Sequence, residues 1–235
     1  MSYSFSPKIV TDGLILCVDA KNVKSYTNGS PTWVDISTGI NNGTLINGPT
    51  FDSINGSLTF DGINQYIDFG NNSKLQITVG TISLWMKATS GNNSFRGIIV
   101  KQNAWGLFLV DNVLASFDWG NYYATGFNIA FGLKSTGINL GNNTWTNVAM
   151  TFTQTLGSPL PGPPLNNVIV YVNGSPVLTT TILNQDQLNP LQIAYGNFPG
   201  QYFVGSIAQG IVYNRVLSVN EILQNYNALK TRFGL

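Results

Sequence analysis

Hydrophobic and polar positions alternate along this chain in short runs with a period of two residues. Thr81-Ile82-Ser83-Leu84-Trp85-Met86-Lys87 is the cleanest run. Trp145, Asn147, Ala149 and Thr151 alternate in the same way with Thr146, Val148, Met150 and Phe152. From Gly13 to Asp19 the alternation puts Leu14, Leu16 and Val18 on one face. Further strands are predicted over 57–61, 65–69, 98–101, 105–110, 113–117, 167–172, 176–182, 191–195 and 207–213. Turn chemistry fills the breaks: Asp61-Gly62-Ile63-Asn64, Asp111-Asn112 and, most clearly, Asn173-Gly174, the dipeptide suited to two left-handed residues in a hairpin. Many short strands joined in this way predict an all-β antiparallel sandwich or barrel, and nothing alternates strand with helix as a parallel sheet requires.

One stretch changes period. From Val219 to Lys230 the apolar residues Ile222, Leu223, Tyr226 and Leu229 fall on one side of a helix. Ser218 and Glu221 have the S-x-x-E spacing of a capping box, and Leu217 and Ile222 that of a hydrophobic staple. A short C-terminal helix over about 218–231 is therefore expected to cover a sheet edge or one face of the sandwich. Glu221 is the sole glutamate of the chain, so the cap assigns it to structure rather than catalysis.

Composition narrows the function classes. Of the 235 residues, 43% are hydrophobic and only 9% charged, which leaves Asn, Thr, Ser, Gln and Gly to form the surface. The net charge is +1 with no basic stripe, and this argues against nucleic-acid binding by phosphate neutralisation. Histidine is absent, which removes the commonest general base and metal ligand. Cys17 is the sole cysteine and reads as a small buried hydrophobe, with no disulfide or zinc cluster to join. The first residues lack a signal-peptide pattern, and no run is long enough to insert in a membrane. The N-x-S/T sequons at Asn28, Asn42, Asn55, Asn71, Asn92, Asn142 and Asn173 are read as turn chemistry. The absence of a linker argues for an arm over 1–12 followed by a single domain over 13–235. The arm is expected to be frayed or tied to a neighbouring subunit, and the Pro-rich segment 155–165 to form a long loop.

Several phrases carry a family resemblance. They are Gly13-Leu14-Ile15-Leu16 with Asp19-Ala20, Trp33-x-Asp35, Asn42-Gly43-Thr44-Leu45 and Leu58-Thr59-Phe60-Asp61-Gly62. Ile82 to Lys87, Trp145 to Ala149, Val170 to Gly174, and Phe203-x-Gly205-x-Ile207 through Leu217-Ser218 and Glu221 continue the series. In order and spacing they resemble the laminin-G-like, concanavalin A-like lectin/glucanase superfamily, which implies a two-sheet antiparallel jelly roll. The opening Pro7-Lys8-Ile9-Val10-Thr11-Asp12-Gly13-Leu14 and the closing Tyr213 to Asn227 are similar to single domains of this type in tailed-phage virion proteins.

Three chemistries come into question. Glycosidases of this superfamily use paired carboxylates on one strand. Here the sole Glu lies in the helix cap, and Asp111 and Asp118 flank a hairpin, so no enzyme activity is expected. Lectin-like relatives bind calcium at a sandwich rim; by motif position the candidates are Asp61 and Asp68, with a turn role as the alternative for Asp61. Ala208-Gln209 stands where family members carry an acidic pair. Sugar binding needs an aromatic platform with polar neighbours. Trp105, Asp118, Trp119, Asn121 and Tyr122 form the first candidate cluster, and Asn197-Phe198-Pro199-Gly200-Gln201-Tyr202 the second.

The sequence thus points to a non-enzymatic virion protein, a capsid-surface or tail-associated subunit of a tailed phage. Its partners would be other virion proteins, copies of itself and host or environmental glycans. The alternative is a free-standing, extracellular carbohydrate-binding lectin.

Overall fold

The computed structural model describes residues 7–91, 95–118, 132–154, 165–183 and 188–235. In chain order the strands are β1 (Leu14–Asp19), β2 (Thr32–Trp33), β3 (Gly43–Ile46), β4 (Thr50–Asp52), β5 (Ser57–Asp61) and β6 (Tyr66–Asp68). There follow β7 (Gly80–Thr89), β8 (Phe95–Lys101), β9 (Trp105–Val110), β10 (Val113–Asp118) and β11 (Gly132–Asn139). The last are β12 (Asn142–Gln154), β13 (Leu165–Val172), β14 (Ser175–Leu183), β15 (Leu191–Ile193) and β16 (Val204–Tyr213).

They pair into two antiparallel sheets. The first runs β14-β13-β12-β7-β16-β5-β4, with β1 joining the far half of the edge of β16 that β5 occupies at its start. The second runs β11-β10-β9-β8-β15-β6-β3-β2. The turn at Asp61-Gly62-Ile63-Asn64 passes the chain from one sheet to the other, so β5 and β6 do not pair as a hairpin. Asn173-Gly174 and Asp111-Asn112 do close hairpins, with all four residues at positive φ.

Alternation becomes burial between the sheets. Ile82, Leu84, Val148, Met150, Phe152, Val168 and Val170 face Ile67, Ile99, Leu107, Leu109 and Ile193, all fully enclosed in one core. Each such side chain contributes about 1.5–3 kcal/mol by leaving water. β1 departs from the expected face pattern. A register shift between Leu14 and Leu16 keeps Leu16 and Val18 in this core but turns Leu14 to the opposite side, beside Cys17.

The outer face of the first sheet is covered by the expected helix, α1 (Val219–Leu229), and a 3-10 turn over Lys230–Phe233. The capping box is formed in both directions, and Leu217 and Ile222 are both buried. Tyr226 and Phe233 stack on Trp85 with ring centroids 5.6 and 4.4 Å away. A second, smaller core forms here from Val10, Cys17, Ala149, Tyr171, Ile211, Tyr213, Leu217 and Ile222. The helix buries Ile222 and Asn225, whereas Leu223, expected on the inner stripe, is 42% exposed.

Asn225 faces inward because the arm needs it. Its Oδ1 accepts from Val10 N at 2.8 Å, its Nδ2 donates to the Tyr213 hydroxyl at 3.0 Å, and that hydroxyl donates to Val10 O at 2.8 Å. Residues 7–12 therefore dock on the chain's own helix, with Gln224 Nε2 donating to Lys8 O and Arg215 pairing with Asp12. Burial, with Asp19 and Asp35 nearby, pushes the Cys17 thiol up to about 12, so it is an inert core group.

Glu221 is doubly held. The Arg215 guanidinium grips both carboxylate oxygens, at 2.6 and 3.1 Å, and Ser218 N donates at 2.8 Å. The Arg215 bond, then the Ser218 backbone bond, lowers its pKa from 4.5 to about 2. A depressed carboxylate contributes stability that is complete above its unfolded pKa and lost as pH falls through the folded value. The contribution is therefore expected to disappear between pH 4.5 and about 2. Glu221→Gln should lower stability by about 1 kcal/mol at neutral pH, as for other helix caps, and shrink the acid-side slope in pH-dependent thermal melts. An unchanged slope would contradict the assignment.

Candidate functional site

On the outer face of the second sheet, alternation in β6 sets Tyr66 and Asp68 on one side and Ile67 in the core. Asp68 pairs across the strands with Gln192 of β15 and Thr44 of β3. The chain then leaves β15 through Ala194, which has a φ of 68° and is fully buried. Left-handed backbone is costly for a residue with a Cβ, and such strain persists only where the surroundings enforce it. Its consequence here is local: Ala194 stays in the core beside Ile193, and Tyr195 comes out next to Tyr66.

Tyr195 forms a bridge with Tyr202, so residues 195–202 make a small hairpin that returns the chain to β16. Gly97 of β8 allows the hairpin to lie this close, since a Cβ there would sit 2.3 Å from the Tyr195 carbonyl carbon. Gly97 N and Gly196 N both donate to Gln201 O at 3.1 Å. The rings of Tyr195 and Tyr202 stack at 4.5 Å and 10°, and Tyr66 lies 4.8 Å from Tyr195. All three are half-buried, and Phe198 at the hairpin tip is 53% exposed. Burial first, then the Tyr202 hydrogen bond, pushes the Tyr195 phenol up to about 12. Burial and the neighbouring Asp68 raise Tyr66 as well. The Tyr66 and Tyr195 phenols therefore remain neutral hydroxyls that can donate or accept.

The polar rim is built from Asp68 and Gln192. Asp68 Oδ1 accepts from Gly70 N at 2.7 Å, and Oδ2 accepts from Gln192 Nε2 at 2.9 Å. Gln192 Oε1 is buried with no hydrogen-bond partner. Nearby on the same hairpin, Asn197 Nδ2 donates to Asn189 Oδ1 at 3.4 Å. The ensemble offers an apolar ring surface flanked by acceptors and amides, which is the chemistry that the C–H faces and hydroxyls of a sugar meet.

The sequence candidates divide. From the second cluster, Tyr202 joins the site and Phe198 is exposed beside it. Trp105 requires correction. It is fully buried between the sheets, stacked on Phe152 at 5.3 Å, with its Nε1 donating to Ile77 O at 3.2 Å. An enclosed ring has no face left for a sugar. Asp118 closes β10, but its side chain lies outside the described residues, as do Trp119, Asn121 and Tyr122. The calcium candidates do not share a site. Asp61 ends β5 in the first sheet, and its Oδ1 accepts from Ile63 N at 2.8 Å within its own turn. Asp68 ends β6 in the second sheet with the partners given above. Among the described residues no three Cys, Asp or Glu side chains converge to hold a metal ion. Tyr66 was legible from the alternation of Gln65 to Phe69; Tyr195 was not, because the turn at Ala194 resets the face.

Comparison with known proteins fits this architecture. The laminin-G-like model described as the concanavalin A-like lectin/glucanases superfamily matches residues 60–223. The chain belongs to this superfamily. No curated protein sequence matches it. Among solved structures, the binding domain of Paraclostridial Mosquitocidal Protein 1 superposes with a TM-score of 0.63 at 15% identity, over 93% of this chain and 52% of that one. A Trypanosoma rangeli sialidase in complex with sialic acid gives a TM-score of 0.66 at 13% identity, over 97% of this chain and 36% of that one. The superfamily chain described here thus spans about half of the toxin domain and about a third of the sialidase. Domain 4 of AbnA, an extracellular arabinanase from Geobacillus stearothermophilus, in complex with arabinotriose, gives 0.63 at 13% identity. That likeness covers 91% of this chain and 98% of the other. At these identities the likeness is one of fold.

Proposed function

We propose that this protein is a non-enzymatic carbohydrate-binding domain whose site is the Tyr66-Tyr195-Tyr202 cluster with Asp68 and Gln192. The observation that carries the reading is an aromatic surface held by a strained backbone beside the half-buried acceptor Asp68. Whole-domain likeness to an arabinanase domain solved with arabinotriose supports it. Three carboxylates are unsuited to hydrolysis. Glu221 is locked ionised by Arg215, Asp19 is paired with Arg232, and Asp35 accepts three backbone N–H groups. None of these is placed as a proton donor opposite a nucleophile.

A glycan array, run with and without calcium, tests the reading. Hits are expected, and Tyr195→Ala should weaken them about tenfold or more, as for other aromatic anchors. Binding should persist without calcium, and a blank array under both conditions rejects the proposal.

A tailed-phage particle is the location we favour for this domain, as a surface or tail-associated subunit. It rests on the resemblance of two phrases to single domains in tailed-phage virion proteins. The two phrases that resemble virion proteins, 7–14 and 213–227, are stitched to each other through Val10, Tyr213 and Asn225. Mass spectrometry of purified particles should find the protein in fixed stoichiometry; its absence would reject the location and leave the sugar site standing.

A further inference from the structure

We infer that the tyrosine site takes neutral, hydroxyl-rich sugars and turns away sugars that carry a carboxylate. The inference rests on the carbohydrate reading above and adds its charge selectivity. Thr44, Asp68, Gln192 and Val100 stand side by side in register across β3, β6, β15 and β8. Gln192 is only 4% exposed. Its Nε2 donates to Asp68, and its neighbour on the other side is Val100 of β8. An isopropyl group cannot donate, and the oxygen is left without a partner. The oxygen is enclosed by the chain, so the acceptor open to a ligand is the half-buried Asp68. The polar half of the site therefore asks for donors, which sugar hydroxyls supply.

Among the described residues no ion pair to Asp68 forms. Of the 11 Lys and Arg residues, three lie in strands of this sheet, Arg96, Lys101 and Lys134, and they sit at inward-facing positions. Arg96 and Lys101 of β8 are fully buried, with their heads held by Thr89 O and Asn112, and by Asn71 and Asn189. Lys134 of β11 lies opposite Ser116, whose hydroxyl points inward to Met150. Lys74 reaches Gly39 O, Lys21 reaches Ser53 O, Lys87 covers Trp145 and Lys230 covers Tyr226. Arg215 and Arg232 are spent on Glu221 and Asp19. A sialic or uronic acid on the platform would bring a second carboxylate to Asp68 with nothing to pair it, and like charges in an interface are a source of rejection.

The test uses the full chain on an array of matched glycans, each neutral core printed with and without a terminal sialic or uronic acid. Hits should be neutral, and the acidic cap should reduce a hit about tenfold or more. Asp68→Asn should narrow that ratio, and Gln192→Leu should weaken neutral hits while melting temperature shows the variant still folded. Acidic hits that Tyr195→Ala abolishes would overturn the selectivity but keep the site. Hits of either kind that Tyr195→Ala leaves intact would overturn the site itself. An Asp68→Asn ratio equal to that of the native chain would also overturn the selectivity.

Discussion

Trp105→Ala is expected to destabilise the protein by about 3–5 kcal/mol, the range for removing a buried aromatic side chain. The ring is fully enclosed between the sheets, and three interactions vanish with it: its area, the stack on Phe152 at 5.3 Å and the bond to Ile77 O. The last leaves a carbonyl without that donor, which adds to the cavity cost. In a domain of this size the loss should lower the melting temperature by roughly 10 °C, measurable by calorimetry. Trp105→Phe keeps most of the volume and should lose less. It also separates two roles for the residue. If the ring were a sugar ligand, Trp105→Phe would weaken glycan binding in a folded protein. The buried geometry predicts unchanged affinity with reduced stability.

The second large effect is expected at Asn225. Asn225→Leu strips partners from Val10 N and from the Tyr213 hydroxyl, both in the small core under the helix. Val10 N is left unpaired, while the Tyr213 hydroxyl keeps its bond to Val10 O, so a loss of about 1–3 kcal/mol is expected. Tyr213→Phe removes the hydroxyl that Val10 O and Asn225 Nδ2 both use, and should cost a similar amount. Because the three groups close one ring of bonds, the double variant should cost less than the sum of the singles. Chemical denaturation measures both, and limited proteolysis adds a local readout. Cleavage within 7–12 should become faster in either variant while the sandwich resists. Strict additivity would mean that the arm, the helix and the strand are not coupled through this ring.

Much of the fold was legible because its causes are local. A period of two with Asn-Gly turns dictates hairpins wherever it occurs, and β12, β13 and β14 follow it closely. The capping box at Ser218 and Glu221 is a contact between residues three apart, so spacing alone reveals it. Short strands at and next to the sheet edges were not legible. β2, β3 and β4 hold only two to four residues and lack enough alternation to register. β11 was missed because its alternation sets Leu133, Ser135 and Gly137 against Lys134, Thr136 and Ile138, a mixture without an apolar face.

The amino-acid sequence by itself determined the sandwich, its hairpins, the capped helix and the withdrawal of the only glutamate from chemistry. Those depend on periodicity, turn propensity and short-range capping, which operate within a few residues. Tertiary structure alone decided which aromatic rings face water. Trp105 and Tyr195 both lie in strand-like runs, yet one fills the inter-sheet core and the other stands outside, because the left-handed backbone at Ala194 reverses the face. It also decided that the arm docks on the helix and that Asp68, Gln192 and three tyrosines from distant segments meet. Such meetings are set by sheet order and register, which span the whole chain, and no local pattern encodes them.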